Sequence, residues 1–261
     1  MTKGTLIVGY GTRTGKLTII IEAQAKRLRA RGRKNVYTAY FRVSSPTIPD
    51  ALAQMAADGV DDVLVLPYYV AEGTLTAELI PKKLGISGRT GAADVNGKKV
   101  LIREAYALGN TWVTTDILCD RIAEADGDME KSGILVIGHG SKDPISGNCE
   151  VIRTNALRLQ KIGYKHVVYA FNEFVEPDID KGVEELVSQG CTDIVVVPAF
   201  ISDGVHLCEE IAEKLKIPNY SAGGEAEFLG KKVSIKYMRP LEDDPRILEL
   251  LDCQIEEFYG E

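Results

Sequence analysis

The second half of this 261-residue chain repeats the first, and that duplication limits the fold more than any other feature. Val8-Gly9-Tyr10-Gly11-Thr12 corresponds to Ile137-Gly138-His139-Gly140-Ser141, and Ser45-Pro46-Thr47-Ile48 to Glu176-Pro177-Asp178-Ile179. Val65-Leu66-Pro67-Tyr68-Tyr69 with Glu72-Gly73 corresponds to Val196-Val197-Pro198-Ala199-Phe200 with Asp203-Gly204. Gly97-Lys98-Lys99-Val100 returns as Gly230-Lys231-Lys232-Val233. The landmarks keep their order, and the offset drifts only as small loop insertions would make it drift. The fold must therefore be one that about 130 residues can build, a normal domain size.

Each half alternates short β-branched runs with helical periodicity. The runs fall near Thr5–Val8, Asn35–Phe41, Asp62–Leu66 and Lys98–Arg103, then near Gly133–Ile137, His166–Phe171, Asp193–Val197 and Lys231–Lys236. Ile179, Val183, Leu186 and Val187 illustrate the helical spacing between them. Such alternation predicts α/β domains, each a four-stranded parallel sheet with helices on both faces. The polar stretch Glu124–Lys131 is the natural linker, so the expected domains are 1–130 and 131–261.

Charge and cysteine usage narrow the functional classes. The net charge of −7 argues against a nucleic-acid partner, which needs a positive surface. The N-terminus lacks the order of a signal peptide and no apolar stretch approaches bilayer length, so a cytoplasmic protein without a membrane partner is expected. Five dispersed cysteines without a Cys-x-x-Cys pair fit reduced thiols. Residues 1–130 hold 17 Lys+Arg and 15 Asp+Glu, leaving the acidic excess to the second half. The cluster Lys26, Arg27, Arg29, Arg31, Arg33 and Lys34 makes the difference, and reads as a helix C-terminus favoured by the macrodipole.

His139 and His206 are two of three histidines, and each follows an apolar run. Both imidazoles are therefore expected just beyond strand C-termini, where an open parallel sheet binds its ligands. Imidazole is both a transition-metal ligand and a base near neutral pH, so a matched pair suggests metal chemistry. The plainer alternatives are a loop imidazole satisfied by backbone groups and a helix-start residue with no role. His166 begins a strand and reads as structural. Near-matches to dinucleotide and phosphate loops at Gly9–Gly15 and Gly11–Thr18 fail on spacing and on Leu17, so no ATP motif is present.

Gly138-His139-Gly140-Ser141, Glu173-Phe174-Val175-Glu176-Pro177-Asp178-Ile179 and Pro198–His206 together resemble the class II tetrapyrrole chelatases, the CbiX/CbiK cobaltochelatases and SirB ferrochelatases. The resemblance spans most of residues 133–237. It implies two flavodoxin-like, chelatase-like domains with strand order 2-1-3-4 and a site at the ends of strands one and three. It also implies insertion of a divalent metal into sirohydrochlorin, Co²⁺ first and Ni²⁺ or Fe²⁺ as alternatives, with no prosthetic group. His139 and His206 would be metal ligands and proton acceptors, with Glu173 or Glu176 assisting. Both glutamates equally suit a helix N-terminus. Cys208 is a further possible ligand or a buried helix residue. Trp112, Tyr68 and Tyr69 are macrocycle-facing or core aromatics.

At the matching positions the first half has Tyr10 for His139, Leu75 for His206, Arg42 for Glu173 and Ser45 for Glu176. None replaces an imidazole, so the first half is expected to be catalytically silent and to form one wall of a cleft holding the macrocycle. Lys142, Arg153 and Arg42 are candidate partners for the carboxylates of such a substrate. The duplication removes the need for a homodimer, and a monomeric internal pseudo-dimer is expected. A non-catalytic tetrapyrrole or metal carrier would use the same histidines.

Overall fold

The structure, a computed structural model, describes residues 1–143, 146–204, 206–218 and 223–260, with the side chains of 206–208 outside that description. The first repeat contains β1 (Lys3–Gly9), α1 (Lys16–Ala30), β2 (Val36–Tyr40), α2 (Ile48–Ala57) and β3 (Asp62–Pro67). A π-helical turn at Leu75–Leu79, α3 (Ile80–Leu84), β4 (Thr90–Val95), β5 (Lys98–Glu104) and α4 (Trp112–Glu124) complete it. The second contains β6 (Gly133–Gly138), α5 (Asn148–Ile162), β7 (His166–Phe171), α6 (Ile179–Ser188) and β8 (Asp193–Pro198). It ends with a π-helical turn at His206–Ile211, α7 (Ala212–Lys214), β9 (Gly224–Phe228), β10 (Lys231–Tyr237) and α8 (Pro245–Tyr259).

Local chemistry explains the elements. In α6, Ile179, Gly182, Val183, Leu186 and Val187 form one buried stripe, and Asp178 caps the helix by accepting from Lys181 N at 2.9 Å. A Cβ on Gly182 would lie 2.8 Å from Leu135 Cδ1, so glycine lets this helix sit close to the sheet. Thr47 and Pro49 start α2 in the same manner. Strand residues divide by parity. Leu6 and Val8 of β1 join Ile48, Leu52 and Met55 of α2 in one core, while Ile7 is buried on the opposite face. On that face α1 packs against β1 and β2, and α8 against β3 and α1.

The sheets have five strands, not four. Their orders are β2-β1-β3-β5-β4 and β7-β6-β8-β10-β9, with β4 and β9 antiparallel to their neighbours. The four parallel strands keep the expected 2-1-3-4 order, and each sheet gains an edge strand by a hairpin. Asn96 and Gly97 make the first turn with φ of 53° and 80°, the left-handed pair a two-residue hairpin turn requires. Between β3 and β5 this hairpin, with the π-helical turn and short α3, takes the place of a long helix.

The compact units also differ from the 1–130 and 131–261 division, which follows the duplication in sequence. One unit is Met1–Leu108 with Asp243–Glu261, and the other is Gly109–Glu242. The last helix of each repeat packs in the unit of the other. Within the second unit α4 lies on α5 and β8, with Thr115 Oγ1 donating to Asn155 Oδ1 at 2.7 Å. Within the first, Tyr259 Oη of α8 donates to Gly4 O at 2.8 Å and accepts from Leu64 N at 2.9 Å. The basic cluster at the C-terminal end of α1 and just beyond it has a specific partner. Arg33 bonds Asp252 at 2.6 Å and Glu256 at 2.7 Å, Arg27 bonds Asp243 at 2.7 Å, and Arg31 pairs with Glu249 and Asp252.

Arg33 and Asp252 are only 19% and 16% exposed, so their pair is less screened than a surface one. Arg33→Glu should lower the unfolding free energy by about 1–2 kcal/mol, whereas exposed Lys26→Glu should stay within about 0.5 kcal/mol. Urea unfolding of both variants measures the difference, and equal losses would contradict the assigned docking of α8.

Candidate metal centre

The site is built where β6 and β8 end side by side. Ile137 pairs with Pro198, and Ala199 N donates to Ile137 O at 2.8 Å. His139 follows directly after β6 and is half-buried. Glycines on both sides permit close approach. A Cβ on Gly138 would fall 2.3 Å from Ile152 Cγ1 of α5. Gly140 has φ +87°, and a Cβ there would fall 2.0 Å from Glu173 O. Asn172 N donates to Gly138 O and Glu173 N to His139 O, each at 2.9 Å. The His139 and Glu173 backbones are thereby strapped together.

The imidazole is oriented from two sides. Its Nδ1 lies 3.2 Å from Gly140 O. A carbonyl beside this nitrogen favours the Nδ1–H tautomer, which leaves the lone pair on Nε2 for a metal or a proton. Phe174 stacks on the ring, with centroids 5.8 Å apart and planes 24° from parallel.

The structure separates the two glutamates. Glu173 is partly buried and is joined to His139 through the backbone. Glu176 is exposed; it bonds Lys181 Nζ at 2.7 Å and accepts from Asp178 N at 2.9 Å. The Lys181 ammonium and this amide hold its carboxyl below the usual range. Glu176 thus does helix-terminal work at the start of α6.

His206 begins the second π-helical turn, at the repeat position where Leu75 begins the first. Its side chain, like that of Cys208, lies outside the described residues. A polar network that no sequence motif marks connects this turn to the Glu173 loop. Buried Asn172 donates to Glu210 Oε2 at 3.1 Å and accepts from Lys214 Nζ at 2.8 Å. In the first repeat Phe41 takes the place of Asn172, and Lys83 lies 4.7 Å from its ring centroid. Only that contrast between repeats could have flagged Asn172. Among the described residues no three His, Cys, Asp or Glu side chains cluster as metal ligands.

Other candidates are placed elsewhere. His166 Nδ1 lies 3.0 Å from Gln189 Oε1. Arg153 lies over Tyr169, Arg158 covers Trp112, Lys142 is exposed, and Tyr68 is core, accepting from Gln24 at 3.2 Å. Arg42 donates to Tyr10 Oη at 3.2 Å. The first repeat has a polar feature of its own. Glu104, at the end of β5, is 4% exposed, and among the described residues neither carboxyl oxygen has a hydrogen-bond partner. Tyr69 Oη is equally unpartnered. Burial pushes the Glu104 carboxyl up to about 8, with Arg89 opposing and Glu72 adding to the shift. The second repeat has Phe200 and Tyr237 at these two positions.

Two duplicated α/β units, with an imidazole at the end of the first strand of the second repeat, define a chelatase-type architecture. The chain belongs to the CbiX family, whose sequence profile matches residues 4–125 and again 133–258. It is 36% identical over 129 residues to a sirohydrochlorin cobaltochelatase of Methanosarcina barkeri, covering 49% of this chain and 97% of that one. A sirohydrochlorin cobaltochelatase of Priestia megaterium is 25% identical over 187 residues, 69% of this chain and 58% of that one. Among solved structures, SirB from Bacillus subtilis with Fe³⁺ superposes with a TM-score of 0.77 at 18% identity, covering 98% of this chain and 95% of that one. Among the described residues no helix is long and apolar enough to cross a membrane.

Glu104 gives the first unit a pH signature. An unfolded glutamate ionises near about 4.3, whereas the folded one keeps its proton to about 8. Its contribution is complete below the unfolded value and is lost as pH rises towards the folded one, by at most about 1.4 kcal/mol per unit crossed. Urea midpoints should therefore fall between roughly pH 5.5 and 8 in the wild type and fall much less in Glu104→Gln. Parallel profiles would refute the assignment.

Proposed function

We propose that this protein is a chelatase that inserts a divalent metal into sirohydrochlorin, with Co²⁺ the leading substrate metal. Support comes from the family and from half-length relatives named sirohydrochlorin cobaltochelatase. The observation that carries the site is His139, fixed at the end of β6 with Nδ1 against a carbonyl. Metal and tetrapyrrole are both substrates here, and no resident prosthetic group is required.

Insertion removes two pyrrole protons while the ion exchanges water for ring nitrogens. Nε2 of His139, and His206 at the start of the π-helical turn after β8, hold the ion as borderline ligands that can release it. An imidazole freed of metal accepts a proton near neutral pH. Glu173 is the assisting carboxylate, because Glu176 is committed to Lys181 and Asp178. The first repeat, with Tyr10 and Leu75 at the matching positions, supplies no ligand. The chain works in the cytoplasm as a monomer, without nucleic acid or membrane.

Anaerobic absorbance of sirohydrochlorin with Co²⁺, Ni²⁺ or Fe²⁺ tests this reading. His139→Ala and His206→Ala should each cost about 100-fold or more, and Glu173→Gln about 10-fold. Glu176→Gln should remain within about twofold, since an exposed ion pair contributes little. Wild-type conversion no faster than the protein-free control would leave a carrier instead of an enzyme.

A further inference from the structure

We propose that Phe174 is a positioning residue that holds the His139 imidazole in the plane needed for metal transfer. The inference rests on reading His139 as a metal ligand, and it adds a residue whose chemistry is purely geometric.

Three observations converge on it. Phe174 sits at φ +70°, a conformation disfavoured for a bulky side chain. Its ring is 54% exposed, so burial recovers little of what that backbone loses. The ring nevertheless lies on His139, 24° from parallel. The backbone shape belongs to the fold, because Val43 at the same place in the first repeat has φ +63° and is 67% exposed. What the second repeat adds is the aromatic ring. In the first repeat Tyr10, at the His139 position, is stacked instead on Phe41, the residue after β2. Planar stacking pairs thus occur at both strand ends, and only the second involves an imidazole.

The Nδ1 contact with Gly140 O fixes one point of the imidazole. A flat hydrocarbon face stacked on the ring restrains its plane without competing for the metal. Nε2 then keeps one direction while the ion changes partners, and transfer is sensitive to small errors in direction. An exposed phenyl ring is also compatible with neighbouring planar substrate, but its near-parallel alignment with the imidazole assigns it to the ligand.

The test combines NMR with kinetics on the full chain. With three histidines to assign, the His139 ring protons should show an aromatic ring-current shift that disappears in Phe174→Leu. Phe174→Leu and Phe174→Gly should lower kcat about tenfold with the sirohydrochlorin KM within about twofold. Phe174→Tyr should recover most of the rate. Phe174→Gly should melt no lower than the wild type, because glycine relieves the left-handed backbone. Unchanged kcat in the Leu and Gly variants, a raised KM alone, or no ring-current shift would overturn the proposal. If the wild type inserts no metal, Co²⁺ affinity decides. A tenfold loss in Phe174→Leu upholds the positioning role, and an unchanged affinity removes it.

Discussion

The close approach of two backbones at the end of β6 governs everything else in the site. Gly140 lies so near Glu173 O that any Cβ would occupy the same space, and the adjoining amides bond across at 2.9 Å. This contact brings the loop after β7 beside the loop after β6. It also leaves His139 between a carbonyl on one side and the Phe174 ring on the other. The first repeat has the same contact, with a Cβ on Gly11 falling 1.9 Å from Arg42 O. The strap is therefore a property of the duplicated frame, and the chemistry is hung on it by side chains.

That separation explains how one frame can carry two different strand ends. In the second repeat the frame presents His139, Glu173 and Phe174, with Asn172 bonded to Glu210 and Lys214 behind them. In the first it presents Tyr10, Arg42 and Val43, and a cation–π contact between Lys83 and Phe41 replaces the polar network. The polar residues of the first repeat lie deeper, at Glu104 and Tyr69, where their second-repeat counterparts are aromatic. The two repeats thus keep the same sheet order while their strand-end positions differ in character.

Much of this was legible in the sequence because it depends on local pattern. The eight parallel strands and the placement of His139 after β6 follow from β-branched runs and repeated landmarks, whereas the 2-1-3-4 order is what the chelatase resemblance implies. The edge strands were not anticipated, since Thr90-Gly91-Ala92-Ala93-Asp94-Val95 has little β-branched content. Asn96-Gly97 was the available signal for that hairpin. The exchange of α4 and α8 between units depends on packing between distant segments, as do the Arg33–Asp252 and Thr115–Asn155 bonds. Glu173 and Glu176 were equivalent in sequence; Lys181, one turn into α6, separates them only in three dimensions. Glu104 was hidden in an otherwise ordinary strand, and an alignment of the repeats against Tyr237 would have exposed it.

We propose that His139, directly after β6, and His206, at the start of the π-helical turn that follows β8, hold one metal ion together. Cobalt K-edge X-ray absorption of the Co²⁺-loaded chain tests it most directly, with His166→Asn removing the remaining imidazole. Scattering from two imidazoles that falls to one in either His139→Ala or His206→Ala is the predicted result. A shell of oxygen ligands alone, or a spectrum indifferent to both substitutions, would contradict it.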